Sequence, residues 1–142
     1  MDRIEVVQTI DIQRMGQKAV ADILRDVRGY MLTTSKKMKE DAQANLEGKL
    51  QIPVTSLNGR AGVTRKAYDT GELANTLKLA TYFKGHTYEI KLWSDLDYAW
   101  YIHEGFKSYP PNPFLSAALS VNADKLIRWM RSRRFVINVY PS

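Results

Sequence analysis

The chain has 142 residues, 44% hydrophobic and 25% charged, with no cysteine and a net charge of +6. This composition excludes a disordered chain, a disulfide framework, a thiolate metal site and a cysteine nucleophile, and the short apolar runs exclude a membrane-spanning helix. The length suits one domain over residues 1–142, and the opening ten residues, which carry Asp2 and Glu5, lack the apolar core of a secretory signal, so the protein is expected to stay in the compartment where it is made.

From residue 11 onward, Ile12, Met15, Ala19, Ile23, Val27, Tyr30, Thr34 and Met38 recur every three or four residues, the spacing of an apolar stripe on one side of a helix. Arg14, Lys18, Asp22, Arg25, Lys36, Lys39 and Glu40 fill the other sides, so a long N-terminal helix is expected over about 11–47 with Gly48 as its stop. At about 1.5 Å per residue it reaches on the order of 50 Å, more than a domain of this size covers. Part of the stripe is therefore expected to meet another subunit, unless the helix breaks at Gly29. Residues 3–9 are rich in valine and isoleucine and suit an edge strand.

Between 48 and 69, Pro53, Gly59 and Gly62 interrupt every period, and Asn58-Gly59 is a turn signal. An extended loop or arm is expected there, with Lys49, Arg60, Arg65 and Lys66 as its basic members. Leu77, Leu79, Thr81 and Phe83 then alternate with Lys78, Ala80 and Tyr82, and Tyr88, Ile90 and Leu92 alternate with Glu89, Lys91 and Trp93, predicting an antiparallel hairpin over about 76–93. Asn112 suits a side-chain cap and Pro113 the first helical position. Leu115, Ala118, Leu119, Leu126, Trp129 and Met130 share one face of the C-terminal helix beyond them, about 113–132, and residues 135–140 suit a terminal strand. The expected class is α+β, with both helices packed on a small antiparallel sheet of about three to four strands.

The charge is uneven. Residues 1–106 hold 15 Lys and Arg against 14 Asp and Glu, whereas residues 107–142 hold 6 against 1. Lys125, Arg128 and Arg131 share one side of the last helix, a patch that suits DNA or an acidic protein face, with a plain solvated helix face as the alternative. Catalytic patterns are thin. His86 and His103 stand seventeen residues apart without paired-ligand spacing, and position 107, where a zincin helix needs its second histidine, is Lys107. Asp69, Glu89 and Lys91 imitate the acids and lysine of a metal-dependent nuclease, but Glu89 and Lys91 equally suit the solvent face of a strand. Asp95 and Asp97 lack the ligand-dense loop of a calcium site, and no Gly-x-Ser-x-Gly elbow is present. No enzyme activity, metal or cofactor is expected.

Tyr98, Trp100, Tyr101, Phe106 and Tyr109 crowd into twelve positions beside Pro110 and Pro111. Large rigid aromatics with polar handles suit protein interfaces, although they equally suit the core of a small domain. Trp100, Tyr101, Phe106 and Tyr109 are the interface candidates.

Three motifs in fixed order carry a family resemblance: Thr70-Gly71-x-Leu73 before the hairpin, Tyr98-Ala99-x-x-Ile102-His103-x-Gly105 after it, and Pro113-Phe114-Leu115-x-x-Ala118-Leu119 opening the last helix. With the long N-terminal helix ahead of them, they resemble the tail-completion or head-to-tail joining proteins of tailed phages, and a related group of phage minor capsid proteins shares the Tyr98-Ala99 and His103-Glu104 pattern. The chain departs from the commoner pattern at His103, where an acid often stands, and at Phe106, where a small hydroxyl residue is usual. The resemblance implies a non-enzymatic virion protein of the head–tail junction, assembled in the cytoplasm of a bacterial host. It would form a homo-oligomeric ring, a hexamer or dodecamer, between the portal or adaptor and the tail-tube or tail-terminator proteins, around the DNA channel. Gly71 and Gly105 are expected where the backbone needs glycine, Tyr98, Ala99 and Ile102 against the hairpin, and Pro113, Phe114 and Leu115 as anchors of the last helix. The rival expectation is a basic DNA-binding or metal-dependent DNA-processing protein.

Overall fold

The computed structural model describes residues 3–14, 20–49, 51–67, 71–85, 87–106, 108–133 and 135–140. Its centre is a four-stranded antiparallel sheet in the order β4-β5-β1-β6, built from β1 (Ile4–Arg14), β4 (Lys78–Lys84), β5 (Thr87–Ser94) and β6 (Val136–Tyr140). A second, two-stranded sheet pairs β2 (Pro53–Thr55) with β3 (Ala61–Val63). The helices are α1 (Val20–Leu46), α2 (Gly71–Asn75), α3 (Asp97–Glu104) and α4 (Phe114–Ser132).

Alternation decides the sheet. On β1, Ile4, Val6, Ile10 and Ile12 are all buried; they face the same side as Tyr88, Ile90 and Leu92 of β5, in the register Val6↔Leu92 and Ile10↔Tyr88. The helices cover that side. Met38, Ala42 and Leu46 of α1 recur every four residues, and Leu115, Ala118, Leu119, Leu126 and Met130 of α4 form the matching stripe. α1 and α4 pack on each other, α4 over β1 and α1 toward β4. Tyr30 of α1 stacks on Trp129 of α4 with ring centres 4.3 Å apart, joining the two helices beyond the sheet.

The expected helix start at residue 11 is wrong. Residues 11–14 continue β1, and Ile12, buried to 1% exposure, pairs with Ile137 of β6. The cause is an overlap of periods: Ile10 and Ile12 close a two-residue alternation at the same place where Ile12 opens a three-to-four spacing, and sheet pairing on both sides of β1 decides between them. β1 is thus central rather than an edge strand. Met15 and Ala19 lie outside the described residues, as do the side chains of Ile23 and Val27. α1 runs through Gly29 without a break for 27 residues, about 40 Å. Beyond its last turn, Gly48 takes a positive φ of 76°, and the Lys49 amide returns to the Ala44 carbonyl at 3.1 Å.

One further segment differs from expectation, and the aromatic stretch takes a form that its sequence does not announce. The arm is folded, not merely extended: the Asn58-Gly59 turn joins β2 to β3. The aromatic stretch begins as a helix, α3, because Ala99 and His103, four residues apart, both point into the core. A segment of eight residues is too short for its period to show when four of them, Tyr98, Trp100, Tyr101 and Ile102, are aromatic or β-branched.

Candidate functional site

The chain from α3 to the start of α4 carries two arrangements, one buried and one open. The buried one begins at His103, which has no solvent exposure. Its Nδ1 lies 2.6 Å from Glu104 Oε2, and the Ser116 backbone N–H donates to its Nε2 at 3.2 Å. Nε2 therefore bears the lone pair and Nδ1 the proton, which it donates to the carboxylate. The Ser116 hydroxyl is also 3.2 Å from Nε2. Beyond His103, Glu104 accepts the amides of Leu57 at 3.0 Å and Asn58 at 2.7 Å, at the tip of the arm hairpin. One carboxylate thus ties the arm to α3, and one imidazole ties α3 to the first turn of α4.

Burial holds the His103 pKa below its ordinary value, against the opposing pull of Glu104. Burial also acts to raise that of Glu104. Its hydrogen bonds from His103, Leu57 and Asn58 outweigh this, and the carboxyl titrates below its ordinary value. The resting pair is a neutral imidazole and a carboxylate. Its order, serine–histidine–acid, matches that of a hydrolytic triad. The chemistry differs: the base's lone pair is engaged by the backbone amide of Ser116 itself, and the imidazole is sealed from solvent. The arrangement is a clasp.

The open arrangement lies on the other side of α3. Gly105 turns the chain at a φ of +83°, and a Cβ there would meet the Tyr109 carbonyl oxygen at 2.8 Å and the Pro111 nitrogen at 2.9 Å, so only glycine fits. Phe106 and Tyr109 then exchange backbone hydrogen bonds of 3.1 and 2.9 Å, closing a tight loop. Arg65 of the arm clamps the proline pair beyond that loop, donating to the carbonyls of Pro110 at 2.6 Å and Pro111 at 3.2 Å, and to that of Val63, the last residue of β3, at 3.2 Å. Beside this clamp opens a cleft of about 500 Å³, walled by Tyr98, Tyr101 and Ile102 of α3 and by Phe106, Tyr109 and Pro110, with Arg65 to Ala67 and Asn112 completing its lining. Tyr109 is 72% exposed and Phe106 46%. Phe106 packs edge-on against Tyr101 with ring centres 4.9 Å apart.

Asn112 does not cap α4. Its Oδ1 accepts the Arg65 amide at 3.3 Å and its Nδ2 donates to the Arg65 carbonyl at 2.8 Å. A side-chain amide can pair with a peptide as another peptide would, and this pairing spends the groups that a cap would need. Pro113 stands at the cap position and the helix begins at Phe114.

The cleft brings together Tyr101, Phe106 and Tyr109 of the interface candidates, joined by Tyr98 and Ile102. Trp100 is not among the lining residues; it packs half-buried against the core. Ala99, Phe114 and Leu115 are fully buried, as is Leu73 of α2. Gly71 opens α2 with open space around it, so no close approach demands glycine there. Thr70, Asp69 and His86 lie outside the described residues. Lys125, Arg128 and Arg131 are exposed on α4, and Lys125 stands about 18 Å along the axis from Pro113, away from the cleft. Glu89 and Lys91 pair with each other at 3.5 Å, and Asp95 is held by Lys78 at 2.6 Å. Among the described residues, no group of three or more His, Asp or Glu is placed to hold a metal ion, and no helix is long and apolar enough to cross a membrane.

Sequence reasoning missed the clasp. Glu104 reaches its arm partners across 46 and 47 positions, and those partners are backbone amides, which no side-chain pattern encodes. Comparison with protein-family profiles, curated protein sequences and solved structures gives no match to this chain.

Proposed function

We propose that the chain is a non-enzymatic virion protein of the phage head–tail junction, forming a hexameric or dodecameric ring between the portal or adaptor and the tail-tube or tail-terminator proteins. One observation supports this reading above others. The motif residues of the resemblance, Ala99, Gly105, Phe114 and Leu115, serve to build and seal the α3–α4 unit, and that unit presents an open cleft walled mainly by aromatic side chains. A surface of this kind binds through shape and apolar area. The test is genetic: particles from a phage genome with this gene deleted should accumulate as filled heads and separate tails, rejoined when the wild-type gene is supplied. Complete infectious particles lacking the protein would refute the reading.

The second reading is DNA binding, favoured by the exposed Lys125, Arg128 and Arg131 on α4. It requires an affinity that falls steeply with salt and that charge reversal at these three residues removes. A DNA-processing form of it would also need metal-dependent cleavage that depends on Asp69, Glu89 and Lys91.

A further inference from the structure

The four-stranded sheet has two open edges among the described residues, β4 and β6, and they are defended differently. β4 begins and ends with an exposed lysine, Lys78 and Lys84, the usual protection against pairing with another chain. β6 reads Val136-Ile137-Asn138-Val139-Tyr140, without charge, proline or glycine, and Val136 and Tyr140 are 51% and 53% exposed on its outer side. A short, neutral, β-prone edge strand of this composition is a site where a second strand adds.

We infer that β6 pairs antiparallel with β6 of a second copy of this chain, about a two-fold axis at Asn138, to form a reversible dimer with a continuous eight-stranded sheet. The strand is close to a palindrome about that residue. Self-pairing sets Val136 of one copy opposite Tyr140 of the other on the outer face, and Ile137 opposite Val139 on the helix face. Aromatic and β-branched pairs of this kind stabilise antiparallel ladders. The outer pair covers two side chains that are each half exposed in the monomer. Pairing β6 with β4 of another copy would instead bring Lys84 beside the end of β6 nearest Arg133, a repulsion that self-pairing avoids. The interface is isologous and closed. Two five-residue strands bury less than the roughly 1,200 Å² at which stable interfaces begin, so the dimer depends on concentration. It does not rest on the neck reading, and it leaves the aromatic cleft free.

Sedimentation equilibrium of the full chain from ten to several hundred micromolar should show a monomer–dimer step, with the mass rising from 16.3 kDa to twice that value. Asn138→Lys sets like charges face to face and should restore the monomer at every concentration, with its circular dichroism unchanged. Because the chain has no cysteine, Asn138→Cys gives a second readout independent of that variant's folding. Directly opposed residues lie within disulfide reach, so mild oxidation should yield a covalent dimer at least ten times faster than Tyr82→Cys, an exposed site on the other edge strand, β4. A monomer throughout with equal cross-linking rates, a dimer that persists in folded Asn138→Lys, or a larger assembly that Asn138→Lys leaves unchanged would overturn the inference.

Discussion

The clasp and the cleft sit on opposite sides of one eight-residue helix, and they use their polar groups in opposite ways. In the clasp, every polar atom of His103 and both carboxylate oxygens of Glu104 are spent inside the fold, and neither side chain is more than 1% exposed. In the cleft, the backbone is fixed just as firmly, by Arg65, Asn112 and Gly105, yet the aromatic side chains that this backbone carries are left in solvent. The difference teaches that rigidity here is built at the base of the surface and not within it. Exposed aromatics on a fixed backbone lose little conformational freedom on meeting a partner.

If that division is correct, substitutions in the two regions separate stability from assembly. The largest effect is expected from Glu104→Ala, which strands the His103 Nδ1–H and the amides of Leu57 and Asn58 together. Each unsatisfied buried donor costs about 1–3 kcal/mol. The arm amides can turn to water, so the sum should be about 3 kcal/mol, or roughly 10 °C in thermal midpoint for a chain of this length. Calorimetry reads it directly, and proteolysis should show cleavage moving to residues 55–60. A midpoint within about 2 °C of wild type, less than a 1 kcal/mol change produces, would mean that the clasp does not hold the arm.

Acid should open the same region in two stages. Both folded-state pKa values lie below their ordinary values of 6.5 for His103 and 4.5 for Glu104. As pH falls below 6.5 the unfolded chain takes up a proton that folded His103 refuses, and stability declines. Below 4.5 the unfolded carboxyl protonates before the folded one, and stability declines again until the pH passes the folded value. The contribution of this pair to the thermal midpoint should therefore be flat above about pH 7 and fall in both windows. His103→Gln should remove the contribution of this histidine to the upper window and also shrink the lower one, because the His103 hydrogen bond is the foremost of those that hold the Glu104 carboxyl below its ordinary value.

Much of the fold was legible in the sequence because its period survives in isolation. Leu79 to Phe83 and Tyr88 to Leu92 alternate cleanly, and Leu115 to Met130 keep a helical spacing whatever they pack against. β1 was misread at Ile12 because the residue satisfies two periods and only its partner Ile137, far along the chain, decides. The cleft was partly legible, since its aromatics are contiguous in sequence. Its floor was not: Arg65 and Asn112 meet across 47 positions through backbone groups, and Asn112 beside Pro113 carries a strong local signal for a cap that tertiary pairing overrides.

That override makes Asn112→Ala an intermediate case between the two regions. It removes two hydrogen bonds to Arg65 without touching an aromatic side chain, and should cost about 1–2 kcal/mol. Because it loosens the cleft's floor, it should also reduce incorporation into particles beyond what its stability loss accounts for. Asn112→Asp keeps the acceptor but sets a carboxylate oxygen against the Arg65 carbonyl in a site that is 2% exposed, and should cost at least as much as the alanine variant in both measurements. Wild-type stability and incorporation in both variants would mean that the Arg65 pairing is not what shapes the cleft.

The smallest effect on stability, and the sharpest separation, is expected at Tyr109→Ala. The ring is 72% exposed, so its removal should change stability by no more than about 0.5 kcal/mol. The Phe106–Tyr109 backbone bonds that close the loop do not involve the ring. Should the cleft serve a partner, the same substitution removes an exposed rigid anchor, and truncating such an anchor costs an interface about 2 kcal/mol or more. Complementation of a gene deletion with Tyr109→Ala should then give folded protein at normal levels but few joined particles. Phe106→Ala should act in the same direction with a slightly larger stability loss, because Phe106 also contacts Tyr101. Full complementation by both variants would detach the cleft from assembly and leave its aromatic rings as surface without a partner, moving the search for the contact to the exposed cations of α4.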